Sequence, residues 1–282
     1  MFENSSRRGE MPTGFASSAH PVRSPNIRKT GQLAPMTLTA PHHQGGISLE
    51  GASCRIAGKP ILQDITAHLT ERRIGVIGRN GSGKTTLLRL IAGLIAPGSG
   101  VVRINGVDPA TDRKATIGLV GLLFQNPDHQ IIFPTVEEEL AFGPRQQGRS
   151  AAEARAAAHE ALRLHGRSHW AKVPVQTLSQ GQRHYLCLMT VLAMAPEVIL
   201  LDEPFSSLDL PTQMRMRRAL DALPQQLITI THDPALLAGY DRLLWLDAGR
   251  LRADGPPDAV LPAFEAEMRR LGEADADTDL PG

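Results

Sequence analysis

Cysteine is scarce: Cys54 and Cys187 are the only two in 282 residues, far apart and without metal-ligand spacing. Such a pair supports neither a disulfide framework nor a thiolate metal site, and buried free thiols in a reducing compartment are expected. An excess of one charge is also missing, since 30 Lys and Arg face 29 Asp and Glu. Nothing in that balance asks for nucleic acid as a partner. Long apolar runs are absent too. The longest mostly apolar stretch, Tyr185 to Leu201, is broken by Pro196-Glu197 and falls short of the ~18–20 residues that span a bilayer. The first 30 residues hold no apolar block of the kind a secretory signal needs. A soluble intracellular chain without internal repeats is the expectation.

Residues 1–46 are rich in Ser, Pro, Gly, His and Thr, and their five Arg and Lys outnumber two Glu. Such a segment buries too little apolar area to offset its ordering entropy, so a disordered arm is expected. Met11 and Met36 leave open a later start of translation. The ordered part begins near Ile47. Loose alternation predicts strands over Ile47–Ile56 and Ile61–Leu69, joined by a turn at Ala57-Gly58-Lys59-Pro60. Further strands are expected at Ile74–Ile77, at Val101–Ile104 (a hairpin with Asn105-Gly106) and over Ile117–Phe124. From Asn126 to Thr177 the pattern turns helical. Capping boxes are read at Thr135-Val136-Glu137-Glu138, opening a short helix toward Phe142, and at Ser150-Ala151-Ala152-Glu153. A third helix is read after the Leu178–Gln182 segment, running to Ala195. Alternation then resumes with strands at Val198–Leu201 and Ile228–Thr231, helices from Pro211 and near Ala235, and a Leu243–Ala253 hairpin turning at Ala248-Gly249. This is an α/β pattern with a parallel core, an antiparallel flank and a helical insertion over about 126–195.

One stretch carries unmistakable chemistry. Gly78-Arg79-Asn80-Gly81-Ser82-Gly83-Lys84-Thr85 follows an apolar strand and opens into a helix beginning near Thr86. Strand, glycine-rich loop and helix are the context in which this spacing means phosphate binding. The glycines let backbone N–H groups curl around an anionic chain, and the helix start adds its unpaired N–H groups and dipole. Lys84 reaches the outer phosphates, and the Thr85 hydroxyl is placed for Mg²⁺. The chain is thus expected to bind a nucleoside triphosphate. Val198-Ile199-Leu200-Leu201 then makes a buried strand ending in Asp202-Glu203-Pro204, where ligands of open α/β sheets bind. Asp202 would hold Mg²⁺ through water, and Glu203 would polarise the attacking water as general base.

With these two motifs, Leu178-Ser179-Gln180-Gly181-Gln182 matches the L-S-G-G-Q signature, and the chain resembles the ATPase subunits of ABC transporters over residues 47 to about 255. The resemblance implies the P-loop NTPase fold of that family, ATP as substrate and Mg²⁺ as cofactor. It also implies a head-to-tail pair of ATPase subunits, homo- or heterodimeric, in which Ser179, Gln180, Gly181 and Gln182 close over the other subunit's nucleotide. Gln125 matches the Q-loop residue that contacts Mg²⁺ and water. Ser206-Ser207-Leu208-Asp209 lies at the D-loop, with Ser207 and Asp209 at the dimer interface, and His232 matches the switch histidine. Three positions depart from the family pattern: Gln180 replaces the first signature glycine, Tyr185 stands where a basic residue is usual, and Ile56 stands where an aromatic usually stacks on adenine. Weak base selectivity is expected from the last.

Phe124-Gln125-Asn126-Pro127-Asp128-His129-Gln130, with Phe133-Pro134-Thr135-Val136 and Ala141-Phe142-Gly143-Pro144, resembles the energy-coupling-factor group of importers of vitamins and transition-metal ions. That likeness implies a transmembrane coupling protein, docked near Ile131-Ile132-Phe133, and a separate substrate-capture membrane protein. The ATPase would lie on the cytoplasmic face of the cell membrane. A short C-terminal region, helical over about Pro257–Leu271 before a flexible acidic tail at 272–282, adds a likeness to the ATPase subunits of biotin importers, as do Leu186-Cys187-Leu188-Met189 and the D-loop. A binding-protein-dependent ABC importer would share every nucleotide motif. A non-transport ABC ATPase is disfavoured because the chain holds one ATPase domain and no long coiled coil.

Overall fold

The computed structural model describes residues 45–206 and 208–273. The expectations for residues 1–44, for Ser207 and for the end of the acidic tail lie outside these. The chain runs β1 (Ile47–Ile56), β2 (Lys59–Leu69), β3 (Arg73–Ile77), α1 (Lys84–Ile91), β4 (Ser99–Ile104), α2 (Arg113–Leu119) and β5 (Val120–Leu123). Three helices come next: α3 (Val136–Gln146), α4 (Ala151–Leu164) and α5 (Gln180–Ala193). The last part is β6 (Val198–Asp202), α6 (Leu210–Asp221), β7 (Gln226–Ile230), β8 (Arg242–Asp247), β9 (Arg250–Gly255) and α7 (Pro257–Glu273).

Every residue of β6 and β7 is buried, as continuous apolar strands must be when helices cover both faces of a parallel sheet. They sit inside a six-stranded sheet of order β5-β6-β7-β3-β8-β9. Its first five strands are parallel, and β9 turns back antiparallel on β8. By contrast β1 alternates buried and exposed residues, the pattern of a sheet with one face in the core. It is the centre of a three-stranded antiparallel sheet, β2-β1-β4. Helix α1 lies between the sheets, where Leu87, Leu88, Leu90 and Ile91 join Ile47, Leu69, Leu200 and Leu244 in one core. Each such fully buried side chain contributes ~1.5–3 kcal/mol, which fixes the helix start where the phosphate loop ends.

The helical insertion has its own apolar core. Val136 and Leu140 of α3, Ala158 and Leu162 of α4, and Leu186 and Met189 of α5 meet there. The other side of α5 packs Cys187, Leu188 and Val191 on Leu123, Ile199 and Leu201 of the parallel sheet. Burial pushes the Cys187 thiol up to about 12, so it is an inert packing group. Among the described residues no helix is long and apolar enough to cross a membrane.

The structure corrects four local expectations. Ile117–Leu119 close helix α2, whose N-cap Asp112 accepts the Ala115 N–H, and the strand is only Val120–Leu123. Val101–Ile104 does not form a hairpin across Asn105-Gly106. It belongs to β4, which pairs with β1, and only a single bridge, Ile104 to Val107, spans that turn. At Thr135 the hydroxyl caps the Glu138 N–H, but the Glu138 carboxylate takes the Thr135 hydroxyl instead of closing the box on its backbone. The helix there runs past Phe142 to Gln146, through Pro144. Near Ala235 there is a single 3₁₀ turn, Pro234–Leu237. The Ser150 box is present in full, and the C-terminal helix extends two residues beyond Leu271.

Candidate functional site

Strand order brings the separate motifs to one edge. Gln125 follows β5, Asp202 and Glu203 end β6, His232 follows β7, and the glycine-rich loop follows β3. These are neighbouring parallel strands, so all four groups meet at the carboxyl end of the sheet, where α/β folds bind ligands. They line a cavity of about 620 Å³ together with Asn80, Gly81, Gly83, Lys84, Thr85 and Thr86. Ile61 of β2 also lines it. That residue carries no motif, and only the packing of β2 against the loop reveals it. Ile56 is absent from the lining and is 45% exposed at the end of β1.

The loop owes its shape to positions only glycine tolerates. Gly78 has φ 154°, and a Cβ there would overlap the Leu246 carbonyl oxygen. Gly83, with φ 103°, is the N-cap of α1 and would press a Cβ to 2.9 Å from Leu62 Cδ2. Lys84 is buried, and its Nζ donates to the carbonyls of Gly78 at 2.8 Å and Arg79 at 2.9 Å. Burial lowers its pKa, partly offset by the charges of Glu203 and Asp202. The Thr85 hydroxyl donates to Asp202 Oδ1 at 3.4 Å. Burial pushes the Asp202 carboxyl above its ordinary range against that hydrogen bond. Both oxygen groups line the same cavity as Gln125, and oxygen groups of this kind suit a hard cation such as Mg²⁺.

Glu203 is held in an unusual backbone conformation, left-handed at φ 50°. For a non-glycine residue this costs roughly 1 kcal/mol or more and persists only where the surroundings enforce it. Here its N–H donates to the Ile230 carbonyl at 3.0 Å, and Ser206 Oγ donates to its carbonyl at 2.9 Å. The carboxylate so aimed accepts from His232 Nδ1 at 2.9 Å. A carboxylate directed into a phosphate cavity and oriented by a histidine can accept a proton from an attacking water.

The signature residues are elsewhere. Ser179 caps α5 in a reciprocal box: its hydroxyl accepts the Gln182 N–H at 3.3 Å, and its own N–H donates to Gln182 Oε1 at 2.7 Å. Ser179, Gly181 and Gln182 line a second cleft, of about 490 Å³, with Asp209 at its edge. Gln180 is exposed beside it. Asp209 is the N-cap of α6, and its bonds to Thr212 hold its carboxyl below the usual range. The chain therefore carries two separate clefts, one built around the loop and one around the signature.

A third cleft, of about 660 Å³, is lined by Ile131, Ile132, Phe133, Val175 and Arg183 among others. Ile132 is 68% exposed. The backbone of this segment is held by Glu139, a buried carboxylate that accepts the N–H groups of Ile132 at 2.9 Å and Phe133 at 2.8 Å. Sequence reasoning passed over Glu139. The only signal was a third glutamate where a cap needs one.

The ABC transporter family profile matches residues 62–206. The chain belongs to the ABC transporter ATP-binding family. It is 53% identical over 219 residues to the biotin transport ATP-binding protein BioM of Rhodobacter capsulatus, covering 78% of this chain and 94% of that one. Identity to the protein of the same name from Rhizobium etli is 42% over 218 residues, covering 77% and 97%. Among solved structures it is similar to cbiO1 of Clostridium perfringens, described as part of the ABC transporter complex cbiONQ. The TM-score is 0.66 at 26% identity, over 80% of this chain and 93% of that one. The fold is also that of the dimeric cassette MJ0796 bound to ADP and Pi, with a TM-score of 0.66 at 23% identity, over 75% and 98%. As an ABC ATPase the chain binds and hydrolyses ATP.

Proposed function

We propose that this ABC ATPase powers an energy-coupling-factor type importer whose solute is biotin. The 53% identity to a biotin transport ATP-binding protein, spanning 94% of that relative, carries this reading. In it, two ATPase subunits, copies of this chain or a pair with a second one, bind on the cytoplasmic face of the membrane. Each presents Ser179 and Gly181 to the triphosphate held by the other's loop. Lys84 and the loop N–H groups hold the phosphates. Glu203 takes a proton from water as its oxygen bonds the γ-phosphorus. The bond to the bridging oxygen then breaks, and ADP and phosphate leave. Thr85, Gln125 and Asp202 would hold Mg²⁺, which neutralises phosphate charge when bound. Asp209 and Ser207 serve the interface between subunits.

The exposed Ile132 at the third cleft supports docking of a transmembrane coupling protein there, and a separate membrane protein would capture the solute. Purifying the complex from native membranes tests the whole reading. A co-purifying coupling protein and a biotin-binding membrane protein are expected. A permease fed by a soluble binding protein in their place would overturn it.

A further inference from the structure

A serine and a glycine do not account for the charge of the second cleft. Helix α5 turns no cation toward it. Gln182 and Tyr185 face the cleft, whereas Arg183 is drawn to the far side, its Nε 3.2 Å from Asp128 Oδ1 and its Nη1 donating to the Leu178 carbonyl at 2.9 Å. Cations come instead from neighbouring elements: Arg167, after α4, and Arg215 and Arg218 on α6 all line the same space. Arg163, Arg183 and Arg217, close to them in sequence, are each paired with a carboxylate. No such pair involves Arg167, Arg215 or Arg218 among the described residues. The one carboxylate lining the cleft there, Asp209, accepts the Thr212 N–H at 2.7 Å as a helix cap.

Arg215 is the best placed of the three. Its Nη2 donates to Thr212 Oγ1 at 2.9 Å. Thr212 in turn packs on the signature, since a Cβ at Gly181 would lie 3.1 Å from Thr212 Cγ2. One side chain thus separates the guanidinium from the signature glycine. Arg167 is steadied over Trp170, 5.3 Å from the ring centroid. A guanidinium already held in place loses little freedom when it meets phosphate, and its planar fork suits phosphate oxygens.

We propose that Arg215, with Arg167 beside it, contacts the phosphates of a nucleoside triphosphate held by the other ATPase subunit. It supplies from α6 the cation that Tyr185 withholds from α5. This rests on the paired-subunit reading above, and the test separates the two.

The full chain carrying E203Q, expected to slow hydrolysis, is titrated for ATP-dependent dimer formation by sedimentation, and ATP binding is measured at concentrations where the chain is monomeric. Adding R215A is expected to weaken the dimer about tenfold or more, the weight of one charge-assisted hydrogen bond. Monomer affinity for ATP stays unchanged, R215K keeps most of the dimer affinity, and the deficit narrows in high salt as charges are screened. An unchanged dimer in R215A while S179R abolishes it would overturn the inference and leave the paired reading intact. If S179R also changed nothing, the paired reading itself would fall. Loss of monomer ATP binding in R215A, or no recovery in R215K, would assign Arg215 a structural role and overturn the proposal.

Discussion

His232 Nδ1 stands 2.9 Å from Glu203 Oε2, joining the ends of β7 and β6 across the mouth of the phosphate cavity. The bond fixes the direction of a carboxylate whose backbone is already held at φ 50°. E203Q is therefore expected to lower turnover roughly a hundredfold or more, the weight of a general base, with ATP affinity nearly unchanged. H232A should reduce turnover with the same small effect on binding. Phosphate release and equilibrium nucleotide binding separate the two quantities. Full turnover in E203Q with normal Mg·ATP binding would reassign the base.

Asp202 gives a prediction in pH. Burial is the main cause that raises its pKa above the ordinary 3.8, and the charge of Glu203 adds to it. A carboxyl whose folded pKa exceeds its unfolded one opposes folding while ionised, and that penalty fades as pH falls through the folded value toward 3.8. D202N should raise the Tm of the nucleotide-free protein at pH 7.5, and the gain should shrink as the pH is lowered toward the ordinary carboxylate range. The same variant should bind Mg·ATP about tenfold or more weakly, through the lost charge-assisted hydrogen bond to the ion's water. A Tm gain that grew on acidification would contradict the assignment.

Ile56, exposed and outside the cavity lining, offers the nucleotide base no ring. ATP and GTP should bind this chain with similar affinity, and I56Y should tighten ATP by about three- to tenfold, as an aromatic stack of ~0.5–1.5 kcal/mol would. Competition binding of the two nucleotides decides it. A strong ATP preference in the parent chain would show that the base is read elsewhere.

The C-terminal helix is held by a small core of its own. Val260 and Phe264 are buried against Leu243 and Trp245, and the Trp245 and Phe264 rings meet edge to face at 5.4 Å. F264A should cost ~3–5 kcal/mol, seen as a lower denaturation midpoint. The surface change E265Q on the same helix should be nearly neutral.

The phosphate loop, the acidic strand end and the Ser150 box were legible in the sequence because each needs fixed residue types at close spacing, whereas the Ser179 box, hidden inside the signature, was not read. Helix α2 was not, since Ile117 and Leu119 run without a break into the apolar strand at Val120. Its one sign was Asp112, a cap for the Ala115 N–H. The turn at Asn105-Gly106 does take up the expected left-handed backbone, at φ 50° and 82°. What could not be read is that β4 finds its partner in β1, more than forty residues away. Arg215 was hidden for the same reason: only the packing of α6 on the start of α5 brings it beside Gly181.

Glu139 has a mechanical consequence. A loop that merely rested on the insertion could shift at Ile132 independently of the helices beneath it. Two hydrogen bonds from Ile132 and Phe133 to one buried carboxylate remove that slack. They rivet the contact segment to α3, which shares its apolar core with α5. The exposed isoleucine and the signature serine at the start of α5 are therefore tied to one apolar core and not to separate elements.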